Sequence, residues 1–151
     1  MKNHYIRLAG MAVLSFISMY VLMYAMVDHV ANVYPNFNQF YMAGLMAAPM
    51  VLIELALMGG MYPNKTLNII IAVVSALALI AFFIFIRQQT AIFDRQFLKS
   101  MIPHHAGAIL MCEEASLEDA EIKQLCKSIT YSQQSEIDQM KTILDRLAGK
   151  Q

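Results

Sequence analysis

Between Asp94 and Met140 the chain sets thioether, imidazole, thiol, amide and carboxylate groups at helical spacing. The run from Asp94 to Cys112 carries Met101, His104, His105 and Met111, and the run from Gln133 to Met140 adds Gln133, Glu136 and Met140. At about 100° per residue, Asp94, Met101, His105 and Cys112 fall on one line of a helix, with Phe97, His104 and Met111 on a second line beside it. Arg95, Gln96, Lys99, Glu113 and Glu114 fall on the outer side. From Glu121 onward the same period gathers Ile122, Cys126, Ile129, Gln133, Glu136, Met140, Leu144 and Leu147 on one face, and turns Lys123, Lys127, Asp138, Lys141 and Asp145 away from it. Polar groups on faces that should be buried need partners, because an unpaired one costs a few kcal/mol. A bound ion would supply that partner. Thioether and imidazole are soft to borderline ligands and favour copper, Cu(I) above all, over magnesium or calcium, which prefer oxygen. Met101, His104, His105, Met111 and Met140 are the candidate ligands on this reasoning. Methionine at helical spacing is more often core filler, and a buried histidine is more often satisfied by hydrogen bonds. The coincidence of all five on facing surfaces weighs toward the metal.

These residues need two helices to bring them together. Ser116-Leu117-Glu118-Asp119 has the form of a capping box, with Ser116 starting the second helix. A short connection makes the pair an antiparallel hairpin. Positions equidistant from the turn then meet: His104 near Gln133, Met101 near Glu136, Cys112 near Cys126. The two cysteines are read either as a disulfide that staples the hairpin or as free thiols added to the metal site. Pro103 removes a backbone donor and predicts a kink, or a new helix, near Met101.

Upstream of Arg87 the chain is almost uncharged. With 58% apolar residues and a mean hydropathy of +0.49, it exceeds an ordinary soluble domain. Leu8 to Val27 and Thr66 to Ile86 carry no charge, and Phe40 to Tyr62 is interrupted only by Glu54. Runs of about 20 residues match a hydrocarbon core of about 30 Å. The expected fold is an all-α membrane protein with three transmembrane helices over residues 1–90. The third runs without a linker into the hairpin of residues 91–151. The first run is too long for a signal-peptide core and lacks a small-residue cleavage site, so it is read as a retained anchor. The first loop, Asp28 to Gln39, has no Lys or Arg, which places the N-terminus inside and the hairpin outside. In a bacterium that puts the protein in the inner membrane with the hairpin in the periplasm. Glu54 is expensive at membrane depth, and with Met50 and Met58 it is a secondary candidate for copper transit. The alternative is that these methionines pack helices around the small residues Ala43, Gly44, Ala47 and Ala48. A net charge of zero gives no pointer to nucleic acid. No phosphate loop, nucleophile elbow or His-Glu-x-x-His motif suggests an enzyme.

Asp94, Phe97, Met101, His104, His105, Ala108 and Met111, followed by Gln133, Glu136, Ile137 and Met140, resemble the motif of the family catalogued as Domain of Unknown Function 305. The membrane part also resembles that family's membrane-anchored members. The resemblance implies a ferritin-like helical fold and, for some members, copper binding and copper tolerance. It implies Met101, His104, His105, Met111 and Met140 as ligands, with Asp94, Gln133 and Glu136 as secondary ligands or orienting groups. Cys112 is not part of the motif and stays an open, weaker candidate. Soluble members have longer helical domains, so a complete bundle here is expected to need a second copy. The expected function is copper storage, relay or tolerance in a lipid bilayer. The rival is a metal-free scaffold whose hairpin mediates homo-oligomerisation.

Overall fold

The computed structural model describes residues 2–149, and among these it contains helices and no strand. The chain divides into a membrane unit, residues 1–23 with 38–90, and a hairpin unit, residues 24–37 with 91–151.

The membrane unit holds α1 (Lys2–Leu22), α2 (Phe37–Leu57) and α3 (Lys65–Gln88). All three are long and apolar enough to cross a bilayer. Ala43, Gly44, Ala47 and Ala48 are buried on α2, and the Phe82 ring of α3 lies where a Cβ on Gly44 would stand. A residue without a side chain is what lets the ring approach the α2 backbone. Met42, Met46 and Met58 are exposed. Glu54 is tied at one end of the unit, where its carboxylate accepts a 3.0 Å hydrogen bond from the Tyr62 hydroxyl. The Tyr62 ring packs on Tyr5, whose hydroxyl donates to Asn68 Oδ1 at 2.8 Å. Burial first, and then Glu54, pushes the Tyr62 phenol above its usual value of 10.0. Since the fold favours the neutral phenol, the stability this contributes is present below that usual value and is lost as pH rises through the higher folded one.

In the hairpin unit the expected uninterrupted helix from the third span is corrected. The helix ends at Gln88, and Gln89 and Ala91 take positive φ of 50° and 58° before α4 begins at Asp94. Pro103 sits inside α4 (Asp94–Glu114) and neither ends it nor starts another. The reason lies in the first loop. Proline leaves the carbonyl four residues back without its helical donor, and that carbonyl, of Lys99, accepts from the Asn36 side chain at 3.3 Å. One turn on, the carbonyl of Met26 lies 3.3 Å from where a Cβ on Gly107 would stand. The 24–37 loop therefore packs on the Pro103 and Gly107 face of α4, with Asn32 and Asn36 buried and Val27 and Tyr34 reaching the core.

The turn also differs from expectation. Ser116 lies in the connection, and Asp119 caps α5 (Ala120–Ala148), its carboxylate accepting from the amides of Glu121 and Ile122 at 2.9 and 3.0 Å. Asp119→Ala is expected to cost the hairpin about 1 kcal/mol, read as a lower unfolding temperature, whereas Ser116→Ala leaves it unchanged. The core between α4 and α5 is built on Ile102 and Ile137, both fully buried, with Leu98, Ala106, Ile109, Met140 and Leu144 around them. Near the turn, Cys112 and Cys126 form a disulfide with their Cα atoms 5.2 Å apart.

Candidate metal centre on the hairpin

His105 is the best-defined functional side chain. It is 7% exposed, and each of its ring nitrogens has a partner. Nδ1 lies 2.9 Å from the carbonyl of Met101, and Nε2 lies 2.6 Å from Glu136 Oε2 across the hairpin. A carbonyl can only accept, so Nδ1 carries a proton, and at 2.6 Å a second proton lies between Nε2 and the Glu136 carboxyl group, so both ring nitrogens are engaged. Glu136 is half exposed, so the pair opens to the surface on one side.

The His105–Glu136 contact fixes the register of the hairpin. One helical turn before His105 stands Met101, and one turn after Glu136 stands Met140; in an antiparallel pair both steps lead to the same level. Met140 belongs to the buried cluster and Met101 packs against it, half buried. Two thioethers thus stand one helical turn from one imidazole within the hairpin core.

The remaining candidates divide. His104 is exposed, with its ring centroid 6.0 Å from that of His105. The adjacent histidines therefore point to different surroundings. Met111 is 55% exposed and lies about 10.5 Å further along the helix, at 1.5 Å per residue. It shares the line of His104 but not the level of the thioether pair. Asp94 is exposed in the first turn of α4, and Gln133 is half buried one turn from Glu136. Cys112 is held in the disulfide and offers no thiolate. Glu54 belongs to the membrane unit, engaged by Tyr62. Among the described residues, no three His, Cys, Asp or Glu side chains gather as a metal cage. An ion held here would depend on sulfur.

Asn36 was not among the candidates, although it holds the helix that bears the site. Its Nδ2 reaches the carbonyls of Tyr34 and Lys99, and its Oδ1 accepts from Ser100. The available signal was Pro103, whose missing donor calls for a substitute. Asp28, just past the first apolar helix, accepts from the His29 amide at 2.6 Å and from Asn32 at 2.7 Å, so it orders the loop.

A family model described as a domain of unknown function, DUF305, matches residues 81–144, from within α3 to near the end of α5. The uncharacterized protein L153 of Acanthamoeba polyphaga mimivirus is 36% identical over 139 residues, which cover 89% of each chain. The chain belongs to the DUF305 family. The matched segment spans α4, the disulfide and His105 with Glu136. The mimivirus relative covers the membrane helices of this DUF305 chain as well, because 89% of the chain cannot be fitted into the hairpin alone. No solved structure matches the chain.

Proposed function

We propose that this DUF305 protein is a membrane-anchored copper-binding protein whose hairpin holds Cu(I) for storage, relay or tolerance. The observation that carries the reading is the level shared by Met101 and Met140, one helical turn from His105, whose ring is oriented by the Met101 carbonyl. A histidine whose Nδ1 proton is fixed on a carbonyl can give Nε2 to a metal once the carboxyl group on that nitrogen has moved off. The donors suit the ion: two thioethers and one imidazole are soft to borderline, and no carboxylate cage competes for a harder cation. Met101, His105 and Met140 would hold the ion, and Glu136, which occupies Nε2, would take up its proton and release the nitrogen as the ion arrives. His104, Met111, Asp94 and Gln133 supply the approach and the surroundings rather than the first contacts.

The disulfide supports an oxidising location for the hairpin, because such bonds persist in secretory or periplasmic compartments and are reduced in the cytosol. With three spans, the Tyr24–Phe37 loop and the hairpin share one side, and the N-terminus lies on the other. The bacterial periplasm is the compartment this reading favours. Thioethers hold copper there without the oxidation that would silence thiols.

The test is metal analysis of the full-length protein in detergent, with and without added Cu(I). A retained near-stoichiometric ion that is absent from a His105→Ala chain supports the assignment. A wild-type chain that leaves the column free of copper defeats it.

A second reading is favoured by one observation: His105 and Glu136 already satisfy each other at 2.6 Å without an ion. On that reading the hairpin is a metal-free assembly module. Glu136→Gln would then lower the unfolding temperature of chelator-treated protein, whereas the copper reading places its larger effect on metal affinity.

A further inference from the structure

We infer that one face of the hairpin is the docking surface for the same face of a second copy, closing two hairpins into a four-helix bundle. This inference deepens the second reading above by naming the surface, and it does not require a metal.

The two-helix layer has two broad sides, and they differ in chemistry. On one, the Tyr24–Phe37 loop covers α4 along Pro103 and Gly107. There α5 turns Lys123, Lys127, Asp138 and Asp145 to solvent. The other side is uncovered. Turning α4 and α5 about their axes at about 100° per residue from the His105–Glu136 contact places Phe97, Met111 and Leu125 on it. They are 50%, 55% and 58% exposed. No Lys or Arg falls among them, although α5 has three lysines elsewhere. A helix that bears apolar side chains on a second sector has a second contact to make.

The occupant follows from the polar groups at the centre of that side. His104 is exposed and makes no hydrogen bond to the rest of its own chain among the described residues. Glu136 beside it keeps half its surface in water. A two-fold axis along the hairpin leaves every residue at its own level, so His104 of one copy comes level with Glu136 of the other, in both directions at once. A two-fold interface is self-complementary in this way. The surface thus carries both partners of a cross-copy hydrogen bond, an imidazole and a carboxyl group, inside an apolar surround. Copies anchored in one bilayer by the same three spans also meet at a raised effective concentration.

The experiment is native mass measurement of the full chain released from nanodiscs, in the presence of a copper chelator. The expected wild-type species is the dimer of a 17.0 kDa chain. Met111→Glu with Leu125→Glu is expected to reduce the mass about two-fold with unchanged helix content. Tyr131→Glu, at an 81% exposed site on the opposite side, should leave the dimer intact. A monomeric wild type in chelator overturns the inference and leaves the face to another protein. A dimer that survives the double substitution overturns it too, by moving the contact to the membrane helices. Copper binding by such a monomer would still support the metal reading, so the two proposals fail separately.

Discussion

Leucine at both Met101 and Met140 is expected to weaken Cu(I) binding by at least about 100-fold while the hairpin stays folded. Leucine and methionine occupy similar volumes, and such exchanges cost a core less than about 1.5 kcal/mol. Met140 is 9% exposed and Met101 is half buried, so both sites keep their packing. Only the sulfur is lost. A factor of 100 is about 2.8 kcal/mol of binding free energy, which exceeds the packing cost and makes the two effects separable. Glu136→Gln should be milder, about 10–100-fold, as expected of a group that takes up the Nε2 proton rather than serving as a ligand. Met111→Leu should alter affinity by less than about 3-fold, because Met111 stands about 10.5 Å from the level of His104. Competition against a coloured Cu(I) chelator measures all three. An affinity in the doubly substituted chain equal to that of the wild type would remove the thioethers from the site, and a large loss from Met111→Leu would move the centre up the helix.

The spans and the hairpin were legible because both rest on periodic or compositional signals. Two uncharged runs and one interrupted only by Glu54 gave three helices long and apolar enough to cross a bilayer, and the 3.6-residue period gave the faces of α4 and α5. The cysteine pairing followed from distance to the turn, although the residues alone left free thiols equally open. What stayed hidden depends on single hydrogen bonds between distant segments. The break after Gln88 has neither glycine nor proline to announce it, since Gln89 and Ala91 take positive φ themselves. Pro103 reads as a helix breaker until Asn36, far away in sequence, supplies the lost donor. The 24–37 loop looked like a plain connection between spans because its packing on α4 follows no period. Ser116 and Asp119 both suit an N-cap, and the choice turned on where α4 ended. Within the site, wheel geometry placed His104 and His105 on neighbouring lines, both near the interface. The core is centred on Ile102, Ala106 and Ile109, which turns His105 inward and His104 out. That centre is set by the partner helix and cannot be read from α4 alone.

Replacing Cys112 and Cys126 together by serine is expected to cost the hairpin about 3 kcal/mol. The bridge joins residues 14 apart, and closing a loop of about 15 residues restrains the unfolded chain by about that amount. For a unit of this size, that is a fall of more than about 10 °C in unfolding temperature. The comparison that isolates the cause is Ile137→Ala, which empties a fully buried position and costs about 2–5 kcal/mol through the folded state. Reductant should destabilise the wild type and the Ile137→Ala chain by similar amounts and leave the serine variant unmoved. The two mechanisms act on different states, so their costs add when the substitutions are combined. The consequence for function is specific. The bridge lies near the turn, two helical turns beyond His105 on α4, so its loss frees the turn first, while Ile102 and Ile137 still hold His105 against Glu136. Copper affinity in the serine variant should therefore stay within about 3-fold of wild type at temperatures well below unfolding. A loss of affinity as large as that of the leucine pair would mean that the sulfur atoms of the cysteines, and not only those of the methionines, reach the ion.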